Sequence, residues 1–136
     1  MKKALFLTIG ICLIAGMVIP VSAQSSPVIL TGEVPFAFVS ANRPIPAGQY
    51  SIEVWQAHVR IYDANRHPVQ MTLSDPRQSN RNEEKPRLVF HKYGDTYFLY
   101  QVWTSDYKVE FRTSRTEYNL KASLKRDEST VILAMR

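Results

Sequence analysis

Three histidines, His58, His67 and His91, are the side chains best suited by type to hold a metal or move a proton. Ligands on one element recur at i and i+4 on a helix or i and i+2 on a strand, where both side chains share a face. None of the three has such a partner, and each falls in a different segment, so only tertiary folding would bring them together. No metal and no cofactor is expected. His91 has Tyr93 and Asp95 close in sequence, a set that could do acid/base work, but Gly94-Asp95 between the arms of a hairpin is fully accounted for by turn chemistry. A Gly-x-Ser-x-Gly nucleophile elbow is missing. Gly32 and Gly48 stand alone, so no glycine-rich loop cradles a phosphate. Among the acids, Glu33, Glu53, Asp63 and Glu110 offer carboxylates for glycoside hydrolysis without spacing that singles out a pair. The chain reads as a non-enzyme.

The aromatic side chains are more suggestive. Trp55, Tyr62, Tyr97, Tyr100, Trp103 and Tyr107 lie in or beside predicted strands. Trp55, Tyr97, Tyr100 and Trp103 are the candidate ligand-binding residues, because flat rings at a sheet edge stack on sugars or line a small apolar pocket. The competing reading is that they fill the core, since a domain without disulfides needs large side chains to bury.

The elements that must position these residues are mostly strands. Val34, Phe36 and Phe38 share one side of an extended segment from Val28, and Pro35 places it at an edge or lets full pairing begin only after it. Asn42 to Gln49, with Pro44, Pro46 and Gly48, is a turn region. Tyr50, Ile52 and Val54 alternate up to Trp55; Val59 to Tyr62 and Val69 to Leu73 form an antiparallel pair about a turn at Asp63 to Arg66. Ser74 to Pro86 has no apolar side chain except its prolines and reads as a mobile loop. RLVFHKYGDTYFLYQVW, residues 87 to 103, is a hairpin about Gly94-Asp95. Pairing Tyr93 with Thr96 sets His91 against Phe98 and Val89 against Tyr100 on one face, and Lys92 against Tyr97, Phe90 against Leu99 and Leu88 against Gln101 on the other. Both faces are apolar, which places this hairpin at the centre of a sheet with something covering each side. Ser114-Arg-Thr-Glu117 is a capping-box pattern, and the composition to about Arg126 favours a helix that supplies the second cover through Leu120 and Leu124. Strict alternation of Tyr118, Leu120, Ala122 and Leu124 would equally suit a strand. Thr130 to Met135 is a closing strand.

VPFAFVSANRPIPAGQY (34 to 50) and RLVFHKYGDTYFLYQVW, with TSRTE (113 to 117) and TVILAMR at the end, resemble a family of short exported proteins of soil bacteria. The paired Pro-Ala-Gly-x-Tyr and Phe-His-x-Tyr-Gly-Asp segments carry most of the likeness. It implies a helix after the capping box, and it brings no catalytic or binding residue with it. Tyr118-Asn119-Leu120 departs from the more charged stretch usual there.

The first residues read as an export signal: Lys2 and Lys3, an apolar run from Ala4 to Ile19, and Pro20-Val21-Ser22-Ala23 as a cleavage site. The run falls short of the roughly 20 residues of a spanning helix, so residues 1–23 are expected to be removed and 24–136 to form a single β-rich domain that does not span a membrane. The single cysteine, Cys12, lies within the signal, leaving no disulfide. Of 17 basic residues, Lys2 and Lys3 leave with it, so 15 face 12 acidic ones. That dispersed excess does not make a nucleic-acid surface. The expectation is an all-β, mainly antiparallel fold, a small sandwich or partly open barrel with one short C-terminal helix. Its function class is an exported, periplasmic or extracellular module that contacts a protein or cell-envelope component, or alternatively a carrier of a small apolar or carbohydrate ligand; a metal-dependent or carboxylate hydrolase ranks last. Oligomeric state is left open.

Overall fold

The computed structural model describes residues 26–78, 85–124 and 128–136. The export signal and its cleavage site lie outside these residues, as do 79–84 of the polar loop and 125–127. Among the described residues eleven strands and one helix follow in order: β1 (Val28–Val34), β2 (Phe38–Ser40), β3 (Arg43–Ile45), β4 (Gly48–Trp55), β5 (His58–Asp63), β6 (Pro68–Leu73), β7 (Asp75–Gln78), β8 (Arg87–Tyr93), β9 (Thr96–Trp103), β10 (Tyr107–Glu110), α1 (Arg115–Ser123) and β11 (Glu128–Ala134). They build an all-β sandwich. One sheet has four strands in the order β1-β4-β5-β6; the other has seven, with β11-β8-β9-β10-β7 as its main path and β2 and β3 attached through a short parallel pairing of β2 with β9. The two sheets pack face to face and do not close into a barrel.

The expected single strand through Pro35 is in fact two. The chain leaves the four-stranded sheet after Val34 and enters the other at Phe38, and Pro35, which has no N–H to give to a ladder, stands at the crossing. Phe36, in the crossing segment, stacks on Tyr97 with ring centroids 3.9 Å apart. The core beneath is built from inward positions of both sheets: Leu30, Val34, Tyr50, Ile52, Val54, Val59 and Ile61 from one, Phe38, Leu88, Phe90, Leu99, Val102 and Val109 from the other. The edge-on contact of Phe38 with Tyr50 joins the sheets, and Phe38 also meets Phe90 of its own sheet edge-on.

The 87–103 hairpin sits inside its sheet, flanked by β11 and β10. Gly94 takes φ +58 in the turn, a left-handed value that costs glycine least. Tyr93 meets Thr96, His91 meets Phe98 and Phe90 meets Leu99, but the register then shifts, and Leu88 pairs with Val102 and Val89 with Gln101. A β-bulge inserts Tyr100 as the extra residue. Without it Leu88 would sit opposite Gln101; with it, Leu88 and Val102 both turn inward and are fully buried. Two other departures have backbone causes. β7 pairs with β10 at the sheet edge although the residues around it carry no strand periodicity. β11 lies at the opposite edge, and Arg136 beyond it exchanges two backbone hydrogen bonds with Thr31 of β1, 2.7 and 3.0 Å, stitching the two sheets at one corner.

Candidate functional site

The four candidate aromatics do not form one group. Trp55 ends β4 on the outer face of the four-stranded sheet, 41 % exposed and stacked near His58. Tyr97 faces the core on Phe36. Tyr100 and Trp103 share the outer face of the seven-stranded sheet, linked through Gln101 and Glu110: Trp103 Nε1 donates to Gln101 Oε1 at 3.0 Å, and Gln101 Nε2 donates to Glu110 Oε2 at 3.2 Å. Trp103 also lies under the Arg87 guanidinium, 4.2 Å from its ring centre. The histidines are likewise apart, at the start of β5, in the β5–β6 turn and in β8. Among the described residues no three His, Cys, Asp or Glu side chains gather as metal ligands do.

On that second outer face, His91 stacks on Tyr100 at 3.9 Å and its Nδ1 lies 2.9 Å from Glu117 Oε1. Glu117 is brought there by α1. Ser114 caps the helix, its Oγ accepting from the Glu117 N–H at 3.1 Å, while the Glu117 carboxylate reaches to the sheet. The helix covers the hairpin's second face with Glu117, the one residue it buries outright, and sets Leu124 beside the Gly94 turn. Leu120 is half-buried, and Leu124 and Tyr118 are exposed. Tyr93 donates its hydroxyl toward Glu128 Oε1 at 3.3 Å, with Glu117 Oε1 at 3.5 Å, and Lys121 Nζ donates to Glu128 at 3.1 Å. Burial, then the nearby Glu117 and Glu128 carboxylates, push the Tyr93 hydroxyl far above its ordinary value; burial and Glu110 push Tyr100 up as well. Lys121 holds the Glu128 carboxyl below its usual range. A histidine oriented by a buried carboxylate is half of an acid/base relay; here the His91–Glu117 and Lys121–Glu128 pairs tie the helix to the sheet. Glu117 was legible in sequence as a cap and not as a partner of His91, because that contact spans 26 positions.

Comparison with known proteins adds no relative: no family model, no curated protein and no solved structure matches the chain.

The other outer face, on β1, β4, β5 and β6, is different in kind. Cross-strand pairing lays Ile29, Glu53, Arg60 and Met71 side by side in one row, with Trp55, His58 and Leu73 in the next. Ile29 is 49 %, Met71 63 % and Leu73 73 % exposed. A period-two strand would turn Met71 and Leu73 inward. Here the β5–β6 register shifts between Ile61 and Tyr62, so Gln70 is buried with its Oε1 lacking a partner among the described residues, and the large apolar side chains face water. Between them Arg60 Nη1 meets Glu53 Oε1 at 3.3 Å and Arg60 Nε reaches Met71 Sδ at 3.4 Å. A groove of about 160 Å³ opens here, lined by Ile29, Ser51, Glu53, Tyr62 and Arg66. The turn beside it is fixed by Asp63, whose carboxylate accepts from the Asn65 and His67 N–H groups at 2.9 and 2.8 Å. The His67 N–H above all lowers that carboxyl from its ordinary value.

Proposed function

We propose that the protein is an exported, non-enzymatic binding module, and that the outer face of its four-stranded sheet is the surface that engages a protein partner. The observation that carries this reading is β6, a strand built inside out: it buries Gln70 and presents Met71 and Leu73 to solvent. Concentrating exposed Ile29, Trp55, Met71 and Leu73 on one sheet face costs solubility, and such patches mark contact sites. Tyr118, Leu124 and Ile132, the other large apolar side chains exposed among the described residues, lie on α1, just after it, and on β11. The export signal read from the first 23 residues and the resemblance to short exported proteins support the compartment.

The test is site-specific photo-crosslinking in the exporting host, with a photoreactive residue at position 71 and a control at exposed position 112. Discrete adducts from 71 and none from 112 are expected. Equal adducts from both, or none from 71, would contradict the reading.

A second reading rests on the groove beside Glu53: a small ligand with an apolar part against Ile29 and Tyr62 and polar groups toward Glu53 and Arg66. Native mass spectrometry of the exported protein, before and after denaturation, tests it: an extra mass lost on denaturation favours the ligand, and a bare chain mass favours the protein partner.

A further inference from the structure

We infer that the partner of this face is a second copy of the chain, docked sheet to sheet about a two-fold axis; this rests on the binding reading above. The row across the sheet runs Ile29, Glu53, Arg60, Met71, one residue from each of β1, β4, β5 and β6. It is apolar at both ends, with an acid and a base side by side at the centre. A two-fold axis lying between the stacked faces, parallel to the strands and midway between β4 and β5, reverses the row. Ile29 then meets Met71 of the second copy, Glu53 meets its Arg60, and in the neighbouring row Trp55 meets its His58. Each copy makes every contact twice, as an isologous interface requires. Apolar ends meet apolar ends, and the four central charges alternate in sign. A partner of one dominant charge would leave either Glu53 or Arg60 facing its like.

Glu53 and Arg60 keep 20 and 38 % of their side-chain surface exposed, so closing the faces removes water from both. Desolvation offsets much of their attraction, and the charges therefore set register while Ile29, Trp55, Met71 and Leu73 supply the affinity. The face is small. Four strands about 4.8 Å apart and about six residues long give a footprint on the order of 400 Å², below the roughly 800 Å² per partner of a standard interface. The dimer is accordingly weak and concentration-dependent.

The arrangement predicts a charge-swap pattern that no general stickiness produces. With protein exported by and purified from a bacterial host, sedimentation is followed up to about 1 mM, a concentration that detects association of only about 4 kcal/mol. Wild type should dimerise with rising concentration. Glu53→Arg alone and Arg60→Glu alone each place like charges opposite one another twice, and should weaken dimerisation on the order of tenfold or more. An equimolar mixture of the two variants should form the heterodimer, and the double substitution within one chain should restore the homodimer, so loss through misfolding is separated from loss through charge. A wild type that stays monomeric, or single variants that dimerise like wild type, would overturn the inference. The crosslinker at position 71 separates its failure from that of the binding reading: adducts with another protein and none between copies would overturn the dimer alone, while no face-specific adduct would overturn both.

Discussion

At the level of single residues, Glu117 and Tyr93 tie the helix to the sheet and Gln70 is a buried misfit. Replacing Glu117 by Ala takes its partner from His91 Nδ1, while the Tyr93 hydroxyl keeps Glu128, and should lower unfolding free energy by about 1–3 kcal/mol; Glu117→Gln, which keeps an acceptor oxygen, should lose less, and chemical denaturation measures both. Tyr93 gives a pH signature. Its folded value is raised above the ordinary 10.0, so the unfolded chain ionises first. Its contribution to stability is intact below about pH 10 and is lost as pH rises toward the folded value. Denaturation midpoints should fall across the alkaline range, and Tyr93→Phe should flatten that fall. Gln70→Met removes a buried Oε1 that has no partner among the described residues and should stabilise the fold by on the order of 1 kcal/mol; a lower midpoint would mean that the amide has a structural role.

Among the elements, the strands were legible where side chains alternate and a turn residue marks the end, as at Tyr50 to Trp55 and around Gly94-Asp95. The turn fixed the hairpin register for its first four pairs. Beyond them the Tyr100 bulge decided, and a bulge leaves no mark in a sequence whose residues are apolar on both sides of the strand. The β5–β6 irregularity hid the exposed face in the same way: Val69, Met71 and Leu73 carry a regular alternation, and only the shifted pairing reveals that two of them face out. β7 was missed because it is held by backbone pairing at an edge, which any residues can make. The helix was placed correctly by Ser114 and Glu117, while the contact of Glu117 with His91 was not foreseen, since a cap pattern says where a helix starts and not which side it buries. Ser114→Ala should therefore cost about 1 kcal/mol, whereas Tyr118→Ser, at an exposed position, should stay within about 0.5 kcal/mol of wild type in thermal denaturation.

For the whole molecule, the sandwich follows from many short strands, and at one corner Arg136 stitches the two sheets together through Thr31. The molecule presents two unlike outer faces: one knitted to α1 by His91, Glu117 and Tyr93, the other apolar around Glu53 and Arg60 and uncovered among the described residues. None of the four aromatics read from the sequence as ligand-binding reveals this division alone, but two of them report it, because the chain has two tryptophans, with Trp55 on the apolar face and Trp103 on the other. The most direct measurement is fluorine NMR of the exported protein with both tryptophans replaced by a fluorinated analogue, recorded as the protein is concentrated and as envelope extract of its host is added. The account predicts that the Trp55 resonance shifts or broadens while that of Trp103 holds still. Movement of Trp103 alone, or of neither resonance, would contradict it.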